Sequence, residues 1–250
     1  MPNLVILSGP SCVGKSPLLK ALRRFYPALA ARLRPLVLYN DRQPRPGEHN
    51  GSEYYFRPRH YIEDLDGKPG YVVLPVRRDL QALEIAQVLH ALDERRSPLF
   101  EGNAYIAEAL MSAPELIHIP RISVFLSPLS MEEILNLRVQ PDLDLKTVVH
   151  ELMREKLVRR ATRQKGVLSE LDLVDIEARS ASAYKEMQYA PQFDWVIPNH
   201  DGEDSDNWSI AGYPLGDARR ALLDFVAILH GRQPRWAQKW PGELFDTPRL

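Results

Sequence analysis

The residues with the clearest chemistry lie within the first 20 positions. There the apolar run Leu4-Val5-Ile6-Leu7 breaks into Gly9-Pro10-Ser11-Cys12-Val13-Gly14-Lys15-Ser16 and then into Leu18, Leu19 and Leu22 at helical spacing. Two glycines, a lysine and a hydroxyl in this arrangement form a P-loop. A glycine-rich turn between a strand and a helix points successive backbone N–H groups at a polyphosphate, and the helix N-terminus behind them adds positive partial charge. In such a loop Lys15 reaches the β- and γ-phosphates of ATP and the Ser16 hydroxyl holds Mg²⁺. The competing reading is a glycine turn with a solvated lysine. Pro17 follows directly. Proline is tolerated in a helix's first turn, where its N–H has no helical partner. In a P-loop those orphan groups are phosphate ligands, so one donor is missing and nucleotide binding is expected to be weaker than with Ser or Thr at 17.

A second constellation runs from Arg42 to Phe56 and reads Arg42-Gln43-Pro44-Arg45-Pro46-Gly47-Glu48, with Tyr54 and Tyr55 beyond. Arg42 and Arg45, stiffened by prolines, make a preorganised anion clamp because guanidinium forks bind phosphate bidentately. Taken alone, the stretch reads equally as a basic, proline-rich surface loop.

The elements that must position these groups follow from pattern. Residues 35–39 predict a second strand and residues 80–95 an amphipathic helix carrying Leu83, Ile85, Ala86, Val88, Leu89 and Leu92. Residues 98–103 read as a strand running into a turn, and 119–126 as a buried strand. A helix starts near 141–145, and residues 153–165 hold six basic residues against one acid, by default a solvated basic helix. Residues 195–199 are the last core strand, 200–209 an acidic loop and 214–231 a closing helix. Beyond Gly231, Trp236, Trp240 and Phe245 stand among prolines; such aromatics dock onto their own domain or onto a protein partner.

At 250 residues, 44% hydrophobic and 26% charged, the chain can bury a proper core as one α/β domain. A net charge of −1 gives no global attraction to nucleic acid or anionic membrane. No apolar run is long enough to span a bilayer, and the first residues lack the layout of a signal peptide. One cysteine, Cys12, excludes an internal disulfide and suits a reducing, cytoplasmic setting. Its small size fits packing inside the loop better than redox sensing.

Four motifs in order resemble the guanylate kinase family of nucleoside monophosphate kinases. They are the P-loop opening with Ser8-Gly9-Pro10-Ser11, the Arg42–Phe56 clamp, Ile122-Ser123-Val124-Phe125-Leu126-Ser127-Pro128 with Ser130, and Ala183 through Glu186-Met187, Ala190, Phe193-Asp194 and Val196-Ile197 to Asn199. The resemblance covers about residues 3–200. It implies a P-loop NTPase-type parallel sheet flanked by helices, with a small acceptor-binding subdomain and a helical lid. The single domain would span 1–231, with its core at 1–36, 84–135 and 182–231, acceptor-binding region at 37–83 and lid at 136–181, followed by a tail at 232–250.

By the same resemblance Gly9 to Ser16 bind ATP, and Arg42, Arg45 and Tyr54 grip the acceptor phosphate, with Glu48 in the same motif. Glu101 lies near the family's acidic position beside acceptor and Mg²⁺, unless it is a capping or surface glutamate. Arg160, Arg163 and Arg179 would close over the transferring phosphate, with Arg159 competing for the first place, and Asn199 would lie near the adenine. The chain also departs from the family. Asn40 and Asp41 replace hydroxyl residues ahead of the clamp, and the segment 70–81 has neither the guanine-reading glutamate nor a Tyr-Gly-Thr. Asp79, Gln81 or Glu84 would substitute there, or Arg77 and Arg78 would recognise another anion. The implied reaction is ATP-dependent phosphorylation of a nucleoside monophosphate, GMP first. Alternatives are a kinase of the same fold acting on another phosphorylated small molecule and a non-catalytic phosphoprotein-binding module. The intact Lys15-Ser16 pair argues against the last.

Overall fold

A computed structural model describes residues 2–44 and 47–246. The central strand β1 (Leu4–Ser8) is buried throughout. Its alternating side chains serve two different cores, as the period of two requires. Leu4 and Ile6 join a cluster with Phe100, Phe125, Ile106, Met153 and Met187. Val5 and Leu7 join one with Leu18, Leu22, Leu222 and Phe225. The result is a three-layer α/β arrangement.

The other elements follow in chain order: α1 (Lys15–Phe25), α2 (Pro27–Ala30), β2 (Leu33–Pro35), β3 (Leu38–Asn40), β4 (Tyr54–Phe56), α3 (Arg59–Glu63), β5 (Tyr71–Val76), β6 (Asp79–Glu84), α4 (Ala86–Asp93), β7 (Ser97–Gly102), α5 (Ala104–Ser112), β8 (Arg121–Ser127), α6 (Met131–Arg138), α7 (Leu145–Lys165), α8 (Glu170–Met187), β9 (Trp195–Pro198) and α9 (Gly216–Leu229). The main sheet has the order β2-β7-β1-β8-β9, with parallel pairing throughout. Parallel strands covered by helices on both faces read as continuous apolar runs, which is why 4–7 and 122–126 stand out in the sequence. A smaller sheet, ordered β4-β3-β6-β5, hangs beside it.

Two sequence expectations are corrected here. The expected strand at 35–39 is two strands in different sheets, β2 in the main sheet and β3 in the small one, with Leu36 and Val37 crossing between them. The expected helix at 80–95 begins as strand β6 and turns helical only at Ala86. β6 pairs antiparallel with β5 through a two-residue turn, Arg77-Arg78, in which Arg77 adopts a left-handed φ of 59°. Leu80 and Ala82 pack under α3 against Ile62 and Leu65, while Leu83 faces the main core. With both faces of the strand buried, the alternation that would mark it is hidden.

The long helices α7 and α8 form an antiparallel hairpin. Asp144 caps the first by accepting from Thr147 N, and Ser169 caps the second in a box with Asp172. The tail docks onto its own domain. Trp240 and Leu244 are buried in the main core, Gln238 bridges to Val196, and the buried Asp224 carboxylate accepts from the backbone N–H groups of Arg235, Trp236 and Ala237. No helix among the described residues is long and apolar enough to cross a membrane.

Candidate active site

Residues 9–14 join the carboxyl end of β1 to the N-terminus of α1, where ligands gather in sheets of this kind. Glycine is needed at two points. Gly9 has φ 139°, and a Cβ there would lie 2.3 Å from the Leu126 carbonyl oxygen. Gly14 has φ 107°, and a Cβ there would lie 2.6 Å from the Asn199 amide nitrogen. Both allow the loop backbone to approach its neighbours closely.

Lys15 is buried and its amine curls back over the loop, donating to Gly9 O at 2.6 Å and Pro10 O at 2.8 Å. Burial lowers its pKa, against which the carboxylates of Glu203 and Glu101 favour the charged form. Ser16 Oγ donates to Glu101 Oε1 at 2.9 Å, which brings the half-buried Glu101, on the neighbouring strand β7, beside the loop. Burial raises the Glu101 carboxyl pKa, opposed first by Lys15 and then by the Ser16 hydrogen bond. A hydroxyl and a half-buried carboxylate side by side are hard oxygen donors that fit Mg²⁺. Cys12, at φ 69°, is buried with its thiol pushed up to about 12 by desolvation. It packs the loop and is held as the unreactive thiol.

Arg42 is held from several sides. It makes a bidentate pair with Glu48 at 2.6 and 2.7 Å, its guanidinium lies 5.2 Å from the Tyr54 ring centroid and 5.4 Å from that of Phe56, and Asp79 stands 3.8 Å away. Glu48 therefore acts on Arg42. Asn40 and Asp41 serve the backbone, accepting from Arg42 N and Leu80 N at 3.0 and 2.8 Å. Arg45 lies outside the described residues. Gln81 Oε1 accepts from Asn103 Nδ2 at 3.2 Å, linking the small sheet to the start of α5 beyond β7.

On the basic helix α7, Lys156 and Arg160 are withdrawn from solvent, while Arg154, Arg159, Arg163 and Lys165 stay about half exposed, as expected of a solvated basic helix. Arg160 bonds Glu203 at 2.6 Å; Arg163 donates to Asp204 O and to Asp206 Oδ1, the latter at 3.0 Å; and Arg159 stands 3.3 Å from Asp204. Arg179, on α8, is buried and paired with Asp175 at 3.0 Å. Asn199 donates to Val13 O at 2.7 Å and to Asp201 O at 2.8 Å, tying the loop to β9.

Several residues beside the site are absent from the sequence-based set. Lys156 is buried on α7 and donates to His200 O. Its spacing to Arg160 and Arg163, four and then three residues, places all of them on one helix face, a signal available in the sequence. Arg77, which the sequence offers as a reader of another anion, is instead engaged within the chain: it bonds Glu186, itself fully buried, at 2.6 Å and Ser182 at 2.9 Å, joining the small sheet to α8. Glu203 carries no sequence signal of its own beyond an acidic loop.

A guanylate kinase family model matches residues 1–65. A guanylate kinase from Helicobacter pylori is 32% identical over 81% of this chain and 82% of its own length. One from Synechococcus sp. is 30% identical over 79% of this chain and 75% of its own. The crystal structure of guanylate kinase from Anaplasma phagocytophilum covers 80% of this chain and 78% of its own with a TM-score of 0.50 at 20% identity, a likeness of fold alone. At 30–32% identity over about four-fifths of its length, the chain belongs to the guanylate kinase family of nucleoside monophosphate kinases.

Proposed function

We propose that the enzyme transfers the γ-phosphoryl group of ATP to GMP, giving ADP and GDP. The reading rests on Lys15, Ser16 and Glu101 standing together at the carboxyl ends of β1 and β7, beneath the arginines of α7. In this reading the small sheet and its loops, 37–83, bind the acceptor, and 136–181 form the lid. Arg42, Arg45 and Tyr54 hold the acceptor phosphate, and Glu48 keeps Arg42 aimed. Asp79 and Gln81 flank the clamp in place of the family's guanine-reading glutamate.

Lys15 neutralises donor phosphate charge, while the backbone N–H groups of 11–16 cradle the phosphates. Arg160, Arg163 and Arg179 stabilise the charge spread over the transferring group. Ser16, with Glu101 behind it, would hold Mg²⁺, which when bound offsets charge on the donor phosphates. The acceptor phosphate is already ionised, so no general base is required, and positioning with electrostatics supplies the rate. A lone buried thiol and ATP as co-substrate suit the cytoplasm.

Coupled ADP release with ATP·Mg²⁺, measured across nucleoside monophosphates and phosphorylated sugars, tests the reading. Turnover greatest with GMP and collapsing in Arg45→Ala is the expected result. Turnover with another acceptor alone would move the substrate while keeping the fold and the clamp.

A further inference from the structure

The acidic segment 200–206 lies against the phosphate loop and takes up the cations that the reaction needs. Glu203 N donates to Cys12 O at 3.1 Å. Gly202 is pressed so closely that a Cβ there would lie 2.3 Å from the same carbonyl oxygen. From this position the Glu203 carboxylate bonds Arg160 at 2.6 Å, with both side chains less than 20% exposed. Arg163 is engaged by Asp204 O and Asp206, Arg159 by Asp204, and Lys156 by His200 O with Asp204 at 3.9 Å. The Glu203 charge is felt inside the loop itself. Among the charges acting on Lys15 it is the foremost in favouring the protonated amine, ahead of Glu101.

A carboxylate and a phosphate oxygen make the same kind of charge-assisted bond to a guanidinium. They cannot share Arg160 beside Lys15 without repulsion between the carboxylate and a donor carrying several negative charges. We propose that Glu203 is an internal competitor of the donor triphosphate, its carboxylate standing in for a phosphate on Arg160 so that the donor gains that arginine only by displacing it. This rests on the reading of the P-loop as the ATP site. It makes Glu203 a determinant of donor affinity and makes engagement of Arg160 conditional on a full triphosphate.

The test is titration of ATP·Mg²⁺ binding to the full chain. Glu203→Gln keeps the size and hydrogen-bonding capacity of the side chain and removes its charge, and is expected to lower Kd about five- to tenfold, the scale of one partly buried ion pair. Glu115→Gln makes the same change in net charge on the turn before β8, at the opposite end of that strand, and is expected to leave Kd within about twofold of wild type. An unchanged or raised Kd in Glu203→Gln, with wild type binding normally, overturns the proposal and leaves the kinase reading intact. Absence of ATP binding in both proteins overturns the two together. A second measurement needs no variant. Amide exchange across 202–206 in wild type is expected to quicken on saturation with ATP·Mg²⁺, because the Glu203 N–H bond to Cys12 O is released. Slowed or unchanged exchange contradicts the displacement.

Discussion

Ser16 Oγ donates to Glu101 Oε1 at 2.9 Å, joining the first turn of α1 to the end of the neighbouring strand. The bond holds a half-buried carboxylate beside the loop hydroxyl, where folding would prefer none. Burial raises the Glu101 pKa above its ordinary value of 4.5, so the folded chain holds that proton more tightly than the unfolded chain does. The protonated group's contribution to stability is complete below 4.5 and is lost as pH rises through the raised folded value. Glu101→Gln is therefore expected to raise the melting temperature at neutral pH while lowering kcat by about 100-fold or more. Thermal unfolding and steady-state rates on one preparation check both signs.

Arg77 and Glu186 form a latch between the small sheet and α8, at 2.6 Å, with Glu186 fully buried. Arg77→Ala leaves that carboxylate buried without its counter-charge and is expected to destabilise the fold by about 3–5 kcal/mol. The double variant Arg77→Met with Glu186→Leu is expected to recover most of this loss. Urea unfolding of wild type and the two variants measures it; equal stability of the single and double variants would contradict the latch.

Much of this site is legible in the sequence because its parts are local. Gly9, Gly14, Lys15 and Ser16 lie in one loop, and Arg42 and Glu48 in another. What is not legible is tertiary. Glu203 meets Arg160 across 43 residues, and nothing in an acidic loop says which cation it faces. The small sheet was obscured for a different reason: Leu80, Ala82 and Leu83 are all buried, on opposite faces of β6, and their continuity into Ala86 and Val88 imitates a helical stripe. The aromatics of the tail could be counted, but that Trp240 enters the main core is decided by the Asp224 carboxylate, eleven to thirteen residues before the N–H groups it collects.

That carboxylate gives a further prediction. Asp224→Ala strands the N–H groups of Arg235, Trp236 and Ala237 and is expected to cost about 2–4 kcal/mol and to expose Trp240. Red-shifted tryptophan emission with a lower denaturant midpoint is the expected signature. A free-standing tail would leave both unchanged.

Pro17 stands in the first turn of α1, directly after Ser16. Pro17→Thr restores a backbone donor beside the donor phosphates and is expected to tighten ATP binding several-fold, the worth of about one hydrogen bond. Calorimetric titration gives the comparison, and equal affinities would show that the missing N–H is not a phosphate ligand.

The central claim is phosphoryl transfer at the P-loop lysine. Its most direct test is GDP formation from ATP·Mg²⁺ and GMP by wild type and by Lys15→Ala, each checked for intact folding. The account predicts steady GDP production by wild type and a fall of about 1,000-fold or more in the variant, since Lys15 is the cation placed within the loop itself. Equal rates in the two proteins, or no GDP from wild type at saturating substrates, would contradict it.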